Sequence, residues 1–405
     1  MSFYLALGEN IKADDGYIIV RMKVKTSLVM EECAKRIAAE SSIGTWTDLS
    51  TMKPEIRRLA GKIFNIKDNL IDIAYPIEMF EINIPQILAD IAGNIFSVKD
   101  ADELRLEDVQ FPRKFLKNFK GPKFGIEGVR AFLKIKERPL IGTIIKPKIG
   151  LPPKEHARVA FEAWIGGVDF VKDDENLSGQ SFNPFKERVI ETLQALDKAE
   201  TETGNKKNYA PNISAAYNKM IERAEIVKDY DGKCVMLDVI TCGYSAVQSF
   251  NTEKIADNLI KHGHRAMHAA MTRYPNHGIH MSILTFMARM CGLDQFHVGT
   301  VVGKMEGDEE EVKKNINACI VNCGLKPMLP VNSGGLHPRH VPALMKLFGK
   351  DIVIQAGGGI HGHPKGTTAG ATAMRQAVDA TMQNIPLKNY AESHLELFEA
   401  IKKWN

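Results

Sequence analysis

The sequence is poor in the features that would place it in several large classes of protein. Its six cysteines are scattered through 405 residues without a single CxxC pair, which excludes paired zinc-ribbon or thioredoxin-type spacings and any dense disulfide framework. Cys319 and Cys323 stand at i, i+4 and fit core thiols on one helix face, so a reducing, cytoplasmic setting is expected. No apolar run approaches the roughly 20 residues of a membrane-spanning helix. The opening MSFYLALGENIKADDGY has neither the basic n-region nor the apolar h-region of a secretion signal. Neither sign of charge dominates. Lys and Arg number 53 and Asp and Glu 49, a formal +4, too mild and too evenly spread for a nucleic-acid binder, though compatible with a small anionic substrate. Low-complexity tracts and short repeats are absent. What remains is ordinary globular composition, 44% hydrophobic and 25% charged, in a chain long enough for two domains and a large core.

Two patterns follow one another along the chain. In the first ~120 residues, strand-like runs (Tyr17 to Val24, Leu70 to Tyr75) mix with helical ones (Leu28 to Ala39, and a helix starting at Pro85), which predicts a small α+β domain over residues 1–122. A basic connector, KNFKGPKFG, leads into a helix around 126–136. Beyond it, short apolar runs alternate with helical stretches. The strand candidates are Leu140–Ile145, Val168–Val171, Tyr209–Ile213, Val235–Ile240, His264–His268, Gln295–Thr300, Met328–Val331 and Ile352–Gln355. Eight βα units in this span predict an α/β fold, a (β/α)8 TIM barrel over residues 123–405, with a doubly wound open sheet as the alternative.

Barrel enzymes carry their chemistry at the C-terminal ends of the strands, and reactive residues fall there. The run GGVDFVKDDEN, residues 166–176, begins as a strand and ends in charge. Asp174 and Glu175 offer oxygens to a hard cation such as magnesium, which prefers oxygen ligands and keeps open positions for substrate. Lys172 repels a cation as an ammonium, but an amine that has taken up CO2 as a carbamate is an anionic oxygen ligand. The competing reading is a solvated loop with a Lys–Asp pair. Lys146 and Lys148 share one face of an extended strand, with Pro147 between them. Crowding of Lys146, Lys148 and Lys172 is expected to depress their amine pKa values, because like charges disfavour the ammonium. A neutral lysine can serve as base, acid or carbamate former.

The segment KHGHRAMH brings His264, Arg265 and His268 to the fifth candidate strand, suited to proton relay or substrate oxygens; His262, His277 and His280 read as structural or solvent-facing. Zinc is disfavoured there, since cysteine partners are missing and the carboxylates lie elsewhere. The sixth strand carries His297, with Gly303 and Lys304 in the loop after it. Ser333, Gly334 and Gly335 follow the seventh, and Gly357, Gly358 and Gly359 the eighth. Glycines let backbone N–H groups approach an anion, and barrels often hold phosphate at these two strand ends. Arg265 and Lys304 suit a second anionic group, so a substrate with phosphate at both ends is expected.

Together these residues resemble the ribulose-1,5-bisphosphate carboxylase/oxygenase (Rubisco) large subunit over nearly the whole chain. The carriers are GGVDFVKDDEN, HRAMHAAMTRYPNHGIHM, HVGTVVGKMEGD, VNSGGLHP, QAGGGIHGHPKGTTAGA, and, nearer the start, AAESSIGTWTD and AGNIF. IKPKIG and the short C-terminus are most similar to the archaeal form III. The resemblance implies Mg2+ held by Asp174, Glu175 and Lys172, with CO2 as the activating carbamate on Lys172. It implies that Lys146 handles the enolisation proton, that Lys148 protonates the late carbanion, and that His264 holds substrate and assists proton traffic. Arg265, His297 and Ser333 would bind substrate, with Gly334 and Gly335 at one phosphate. Gly357 and Gly358, with Thr45 and Trp46, would hold the other. Lys304 would close over the site on a mobile loop, positioned by Glu40 and Asn94. In this family Glu40, Thr45, Trp46 and Asn94 come from the neighbouring chain, so a homodimer is implied, with larger assemblies of dimers open. The implied reaction is carboxylation of ribulose 1,5-bisphosphate to two 3-phosphoglycerates, with O2 competing for the same enediolate.

The sequence departs from the family pattern in four places. Ile144 stands where Thr is common, and Met305 where Leu is common. The path from Lys304 to Ser333 is short, with 309–322 expected as one helix, and no long tail follows Trp404 and Asn405. A Rubisco-like enolase or isomerase, and a catalytically silent scaffold, are the alternative functions. Retention of Glu40, Thr45, Trp46, Lys304, Arg265, His297 and Ser333 together weighs against both.

Overall fold

The computed structural model describes residues 2–45, 47–303 and 308–404; Trp46, Lys304 and Met305 lie outside them. By compactness the chain divides into two units, one of Met1–Lys120, Met267–Cys291 and Val321–Leu325, the other of Gly121–Ala266, Gly292–Ile320 and Lys326–Asn405. In chain order the strands are β1 (Tyr17–Lys25), β2 (Lys62–Lys67), β3 (Leu70–Pro76), β4 (Glu103–Gln110), β5 (Leu140–Ile144), β6 (Phe170–Lys172) and β7 (Asn208–Ala210). They continue as β8 (Cys234–Asp238), β9 (Ile260–His264), β10 (Gly278–Ile279), β11 (Gln295–His297), β12 (Leu329–Ser333) and β13 (Val353–Gln355). No described helix is long and apolar enough to cross a membrane.

The first unit is built on a sheet ordered β10-β4-β1-β3-β2, antiparallel except where β10 runs parallel to β4. β1 shows why it forms. Ile18, Val20, Met22 and Val24 are buried while Arg21 and Lys25 are exposed, the alternation of a strand with one face on a core. Arg21 also forks onto Asp72 of β3 at 2.7 and 3.0 Å, a bidentate pair that favours this register. The predicted strands at 17–24 and 70–75 and the helix now seen at Met30–Glu40 are present. β2, β4 and β10 were not anticipated.

The second unit is an eight-stranded parallel sheet ordered β7-β6-β5-β13-β12-β11-β9-β8. It closes on itself: Ile213 N–H donates to Met236 O at 3.0 Å and Met236 N–H to Pro211 O at 2.8 Å. Closure excludes the open doubly wound alternative, so the fold is the expected (β/α)8 barrel preceded by a smaller α+β part. The strands are buried on both faces. Leu140, Phe170, Ala210, Met236, Ile260, Leu329, Val331 and Val353 form one apolar cluster with Val129 and Leu133. Ile141, Val171 and Ile354, from intervening positions, join Trp164 and the surrounding helices in another. The helix Gly125–Leu133 supplies Val129 and Leu133. Its start is tied down by Asp294, whose Oδ1 accepts from Phe124 N at 2.6 Å and Gly125 N at 3.0 Å; a carboxylate is favoured at a helix N-terminus.

Strand positions differ from expectation by a few residues, most at the fifth barrel strand, which is Ile260–His264 rather than 264–268. Ile260 packs in the interior cluster, and His262 and His264 follow on the same face of the strand. These polar residues disguise the strand in the sequence. His268 then falls in the first unit and its Nδ1 lies 2.9 Å from Thr272 Oγ1, so it is not grouped with His264.

Candidate active site

Period-two alternation carries Phe170 into the barrel and Val171 to its outside, and so turns Lys172 inward again at the C-terminal end of β6. The turn before this strand needs its glycines. A Cβ on Gly166 would stand 2.4 Å from Thr368 O, and Gly167 has φ +106°. Lys172 is fully buried, and its Nζ donates to the Asp173 carbonyl at 2.7 Å. Burial pushes its amine pKa down against the opposing fields of Glu175 and Asp174, because removing an ammonium from water disfavours the charged form.

Directly behind it, Asp173 is held by four groups. Its carboxylate accepts from Tyr209 OH at 2.6 Å, Asn212 N at 2.9 Å and Arg188 Nε at 3.0 Å, and His156 Nε2 lies 3.1 Å away. Burial alone would raise the Asp173 pKa, but Arg188 and these partners outweigh it and hold the carboxyl well below the usual range. An ion pair buried this completely on both sides is costly unless its remaining donors and acceptors are met. Here it anchors the backbone from which Asp174 and Glu175 project.

The two lysines of the KPK run meet those carboxylates. Lys146 Nζ donates to Asp174 Oδ2 at 2.6 Å, and Lys148 Nζ to Glu175 Oε1 at 3.3 Å. Asn176 supports Asp174 Oδ1 from its backbone N at 3.2 Å and its side chain at 3.1 Å. The expected crowding effect is corrected at Lys148: Glu175, then Asp174, raise its pKa, because attraction to the carboxylates exceeds repulsion among the amines. At Lys172 it is burial, rather than crowding, that lowers the amine pKa.

β8 and β9 bring Asp238 and His264 side by side as register partners. His264 Nδ1 lies 3.1 Å from Asp238 Oδ1, and its Nε2 3.7 Å from Glu175 Oε2. Burial pushes the His264 pKa down, only partly offset by Asp238. Glu175 is pushed up by burial and down more strongly by His264 and Lys172, ending below its ordinary value. Since burial drives both His264 and Lys172 towards neutrality, we assign the steady part of that field to Lys148, whose own pKa is raised. His297 stacks edge-on to His264 at 4.6 Å between ring centroids, and its Nδ1 lies 2.7 Å from Ser333 Oγ.

The glycines after β12 and β13 set how closely the neighbouring loops approach. Gly334 and Gly335 have φ +130° and +72°, and a Cβ on Gly303 would meet Gly334 O at 2.4 Å. The loops after β11 and β12 therefore touch through backbone alone. A Cβ on Gly357 would stand 3.1 Å from Lys146 Cε, while Gly358 faces open space. Arg265 lies against Gly299, where a Cβ would be 2.8 Å from its Nη2. Burial lowers the Arg265 pKa to about 10, still well above neutrality, so it remains a cation at neutral pH.

The structure thus gathers Lys146, Lys148, Lys172, Asp174, Glu175, His264, His297 and Ser333 into one linked set at the C-terminal end of the barrel. Glu40 and Asn94 are joined in the first unit, Asn94 Nδ2 donating to Glu40 Oε1 at 3.2 Å, with Thr45 half-buried in the same unit. The sequence reading missed Asp173 and Asp238 as organisers, and took His262 as merely structural, though it lies 2.9 Å from His297.

Among the described residues no three His, Cys, Asp or Glu side chains are grouped as metal ligands. Asp174 and Glu175 supply two oxygen donors, and Lys172 makes a third only when its amine becomes a carbamate. A buried lysine whose amine pKa is lowered by burial, beside two anchored carboxylates, fits that conversion and a hard divalent cation.

Residues 7–115 match the family described as ribulose bisphosphate carboxylase large chain, N-terminal domain, and residues 125–404 match the catalytic domain of the same large chain. The chain belongs to the Rubisco large-chain family. It is 51% identical to the ribulose bisphosphate carboxylase of Methanocaldococcus jannaschii, with 98% of each chain covered. Among solved structures it resembles an octameric Rubisco from Pyrococcus horikoshii at TM-score 0.94 and 43% identity, covering 99% of this chain and 96% of that one. It also resembles a dimeric archaeal Rubisco from Hyperthermus butylicus at TM-score 0.90 and 41% identity, with 98% of each covered. The archaeal resemblance expected of the Rubisco motifs is thus found in its relatives.

Proposed function

We propose that the protein carboxylates ribulose 1,5-bisphosphate to two 3-phosphoglycerates, with competing oxygenation, at the C-terminal end of its barrel. The chain is a ribulose-bisphosphate carboxylase by family. The observation that carries the mechanistic reading is the convergence of buried Lys172 with Asp174 and Glu175, each carboxylate faced by a further lysine. Asp174, Glu175 and a carbamate on Lys172 would hold Mg2+. When bound, that cation supplies Lewis-acid polarisation of the substrate carbonyl and charge neutralisation as the enediolate forms.

The chain's own residues do the rest. Lys146 handles the proton lost from C3 and Lys148 delivers one to the carbanion left when the C2–C3 bond breaks. His264, oriented by Asp238, holds a substrate oxygen and passes protons. CO2 adds at C2 and water at C3 before cleavage. Arg265, His297, Ser333, Gly334 and Gly335 bind one end of the substrate. Gly357 and Gly358, with Thr45 and Trp46, hold the other phosphate, and Lys304, positioned by Glu40 and Asn94, covers the added carboxylate. The functional division is a 1–122 domain and a 123–405 catalytic domain. Glu40, Thr45, Trp46 and Asn94 serve the neighbouring chain's site in a cytoplasmic homodimer, which larger assemblies repeat.

The deciding assay is incubation with Mg2+, labelled bicarbonate and ribulose 1,5-bisphosphate. Label in acid-stable 3-phosphoglycerate is expected. Proton exchange at C3 without label would replace the carboxylase by the enolase-type alternative, which none of the relatives reported above supports. Site sharing is tested by unfolding and reassembling equal amounts of Glu40→Gln and Lys172→Ala chains. Random pairing should restore about a quarter of wild-type activity, because half the dimers are mixed and each has one intact site; no recovery would assign Glu40 to its own chain's site.

A further inference from the structure

A chain of polar side chains inside the barrel has a direction that can be worked out. Gln295 and His262 are register partners across the β9–β11 ladder, and Gln295 Oε1 lies 2.9 Å from His262 Nδ1. His262 Nε2 lies 2.9 Å from His297 Nε2, and His297 Nδ1 lies 2.7 Å from Ser333 Oγ. Gln295, His262 and His297 are all buried, at 1%, 0% and 3% exposure, so water does not complete their bonding. Burial pushes both imidazoles well below their ordinary pKa, leaving each with one N–H and one lone pair.

An amide oxygen only accepts. His262 Nδ1 must then carry its hydrogen, which leaves Nε2 as a lone pair. Two ring nitrogens facing each other need one donor and one acceptor, so His297 carries its hydrogen on Nε2 and a lone pair on Nδ1. That lone pair takes the Ser333 O–H. With Gln295 Oε1 facing His262, reversing any one link sets two lone pairs or two hydrogens against each other, which a buried site does not tolerate; only turning the amide over, Nε2 for Oε1, reverses all the links together, and the deuterium positions below distinguish the two.

We propose that Gln295 is a positioning residue that sets the tautomers of His262 and His297 and so turns the Ser333 hydroxyl proton away from the substrate, leaving Ser333 as an acceptor for a substrate hydroxyl. Ser333 then selects a polyol carbon bearing O–H at that position and does not donate to a phosphate oxygen. The identity of the substrate rests on the carboxylase reading above; the proton pattern does not.

Neutron diffraction from crystals of the Mg2+-treated protein exchanged into D2O tests the pattern without turnover, so it stands apart from any failure of the carboxylase assay. Deuterium is expected on His262 Nδ1 and His297 Nε2, with the Ser333 deuteron pointing at His297. Deuterium on His262 Nε2 or His297 Nδ1 overturns the proposal. The effect on substrate is read with Gln295→Met, which removes the acceptor at similar length. KM for ribulose 1,5-bisphosphate should rise about tenfold with kcat changed less, the usual size for losing a group that orients a ligand-binding side chain. An unchanged KM in the folded variant would also overturn it. If the variant does not fold, the diffraction result decides alone.

Discussion

The same eight strands build both ends of the barrel, yet the interiors of the two ends share almost no chemistry. Towards the start of the strands the inward residues are Leu140, Cys234, Ile260, Leu329 and Val353, packed with Val129 and Leu133 of a helix tied to Asp294. At the finish of the strands the inward positions hold Lys172, Asp238, His264, His297 and Ser333, joined by hydrogen bonds and ion pairs. A step of two or four residues along one strand, from Ile260 to His262 and His264 or from Phe170 to Lys172, crosses from one regime to the other. The apolar end gains stability from area removed from water. The polar end sacrifices some of it to bury charge, and is tolerable because Lys172, Asp238, His264 and His297 each have a partner and the rigid apolar end holds them in place.

If the two ends divide labour in this way, substitutions should separate activity from stability. The largest effect belongs to Lys172→Ala, which should lower carboxylation roughly a thousandfold or more while leaving the denaturation midpoint unchanged or higher, since a buried amine is removed. Retained turnover would sink the carbamate assignment. At the other end, Leu329→Ala should cost about 2–5 kcal/mol by leaving a cavity in a packed core. Its kcat/KM in the folded fraction should stay near wild type; a large fall there, measured beside the urea midpoint, would break the division.

Asp238→Asn tests the polar end more finely. It removes the charge-assisted partner of His264, and a loss of about 10- to 100-fold in kcat/KM is expected, with little change in melting temperature. An equal loss of stability and no loss of activity would make Asp238 a packing residue. The smallest effect is on pH dependence. His262, His264 and His297 all have native pKa values pushed below the ordinary 6.5 by burial. The unfolded chain therefore binds more protons than the native one as pH falls below that value. Stability should be full above about pH 6.5 and decline towards pH 5, in urea titrations at constant ionic strength. A flat profile would mean that these rings are not held neutral.

Legibility from sequence was uneven for physical reasons. β1, with apolar residues alternating against Arg21, Lys23 and Lys25, was readable, and so was the repeating βα pattern of the barrel. β4, with its alternation crowded by Glu103, Arg105, Glu107 and Asp108, was not, and β9 was set four residues late because its inward side chains are histidines instead of hydrocarbons. In the candidate site, Lys172, Asp174 and Glu175 were legible because all three lie within four residues, His264 because it stands in a histidine-dense run, and His297 and Ser333 because they fall in or just after a candidate strand. Asp238, His262 and Gln295 gave no such signal. Their importance comes from which strands adjoin: β8 beside β9 sets Asp238 against His264, and β9 beside β11 sets Gln295 against His262.

The direction of the Lys148 pKa was misjudged for a related cause. Three lysines near one site suggest mutual repulsion, but the distances of Glu175 and Asp174 decide the sign. By itself the sequence determined the repeating strand–helix pattern of the barrel and which chemical groups stand near its strand ends, because alternation and composition are local properties of a chain. Only the tertiary structure decided the partners: that Asp173 is neutralised by Arg188, that each carboxylate of the pair meets its own lysine, and that one glutamine orders two histidines and a serine. Coulomb forces and hydrogen bonds act over a few ångströms of space, and the closed barrel, not proximity along the chain, sets those separations.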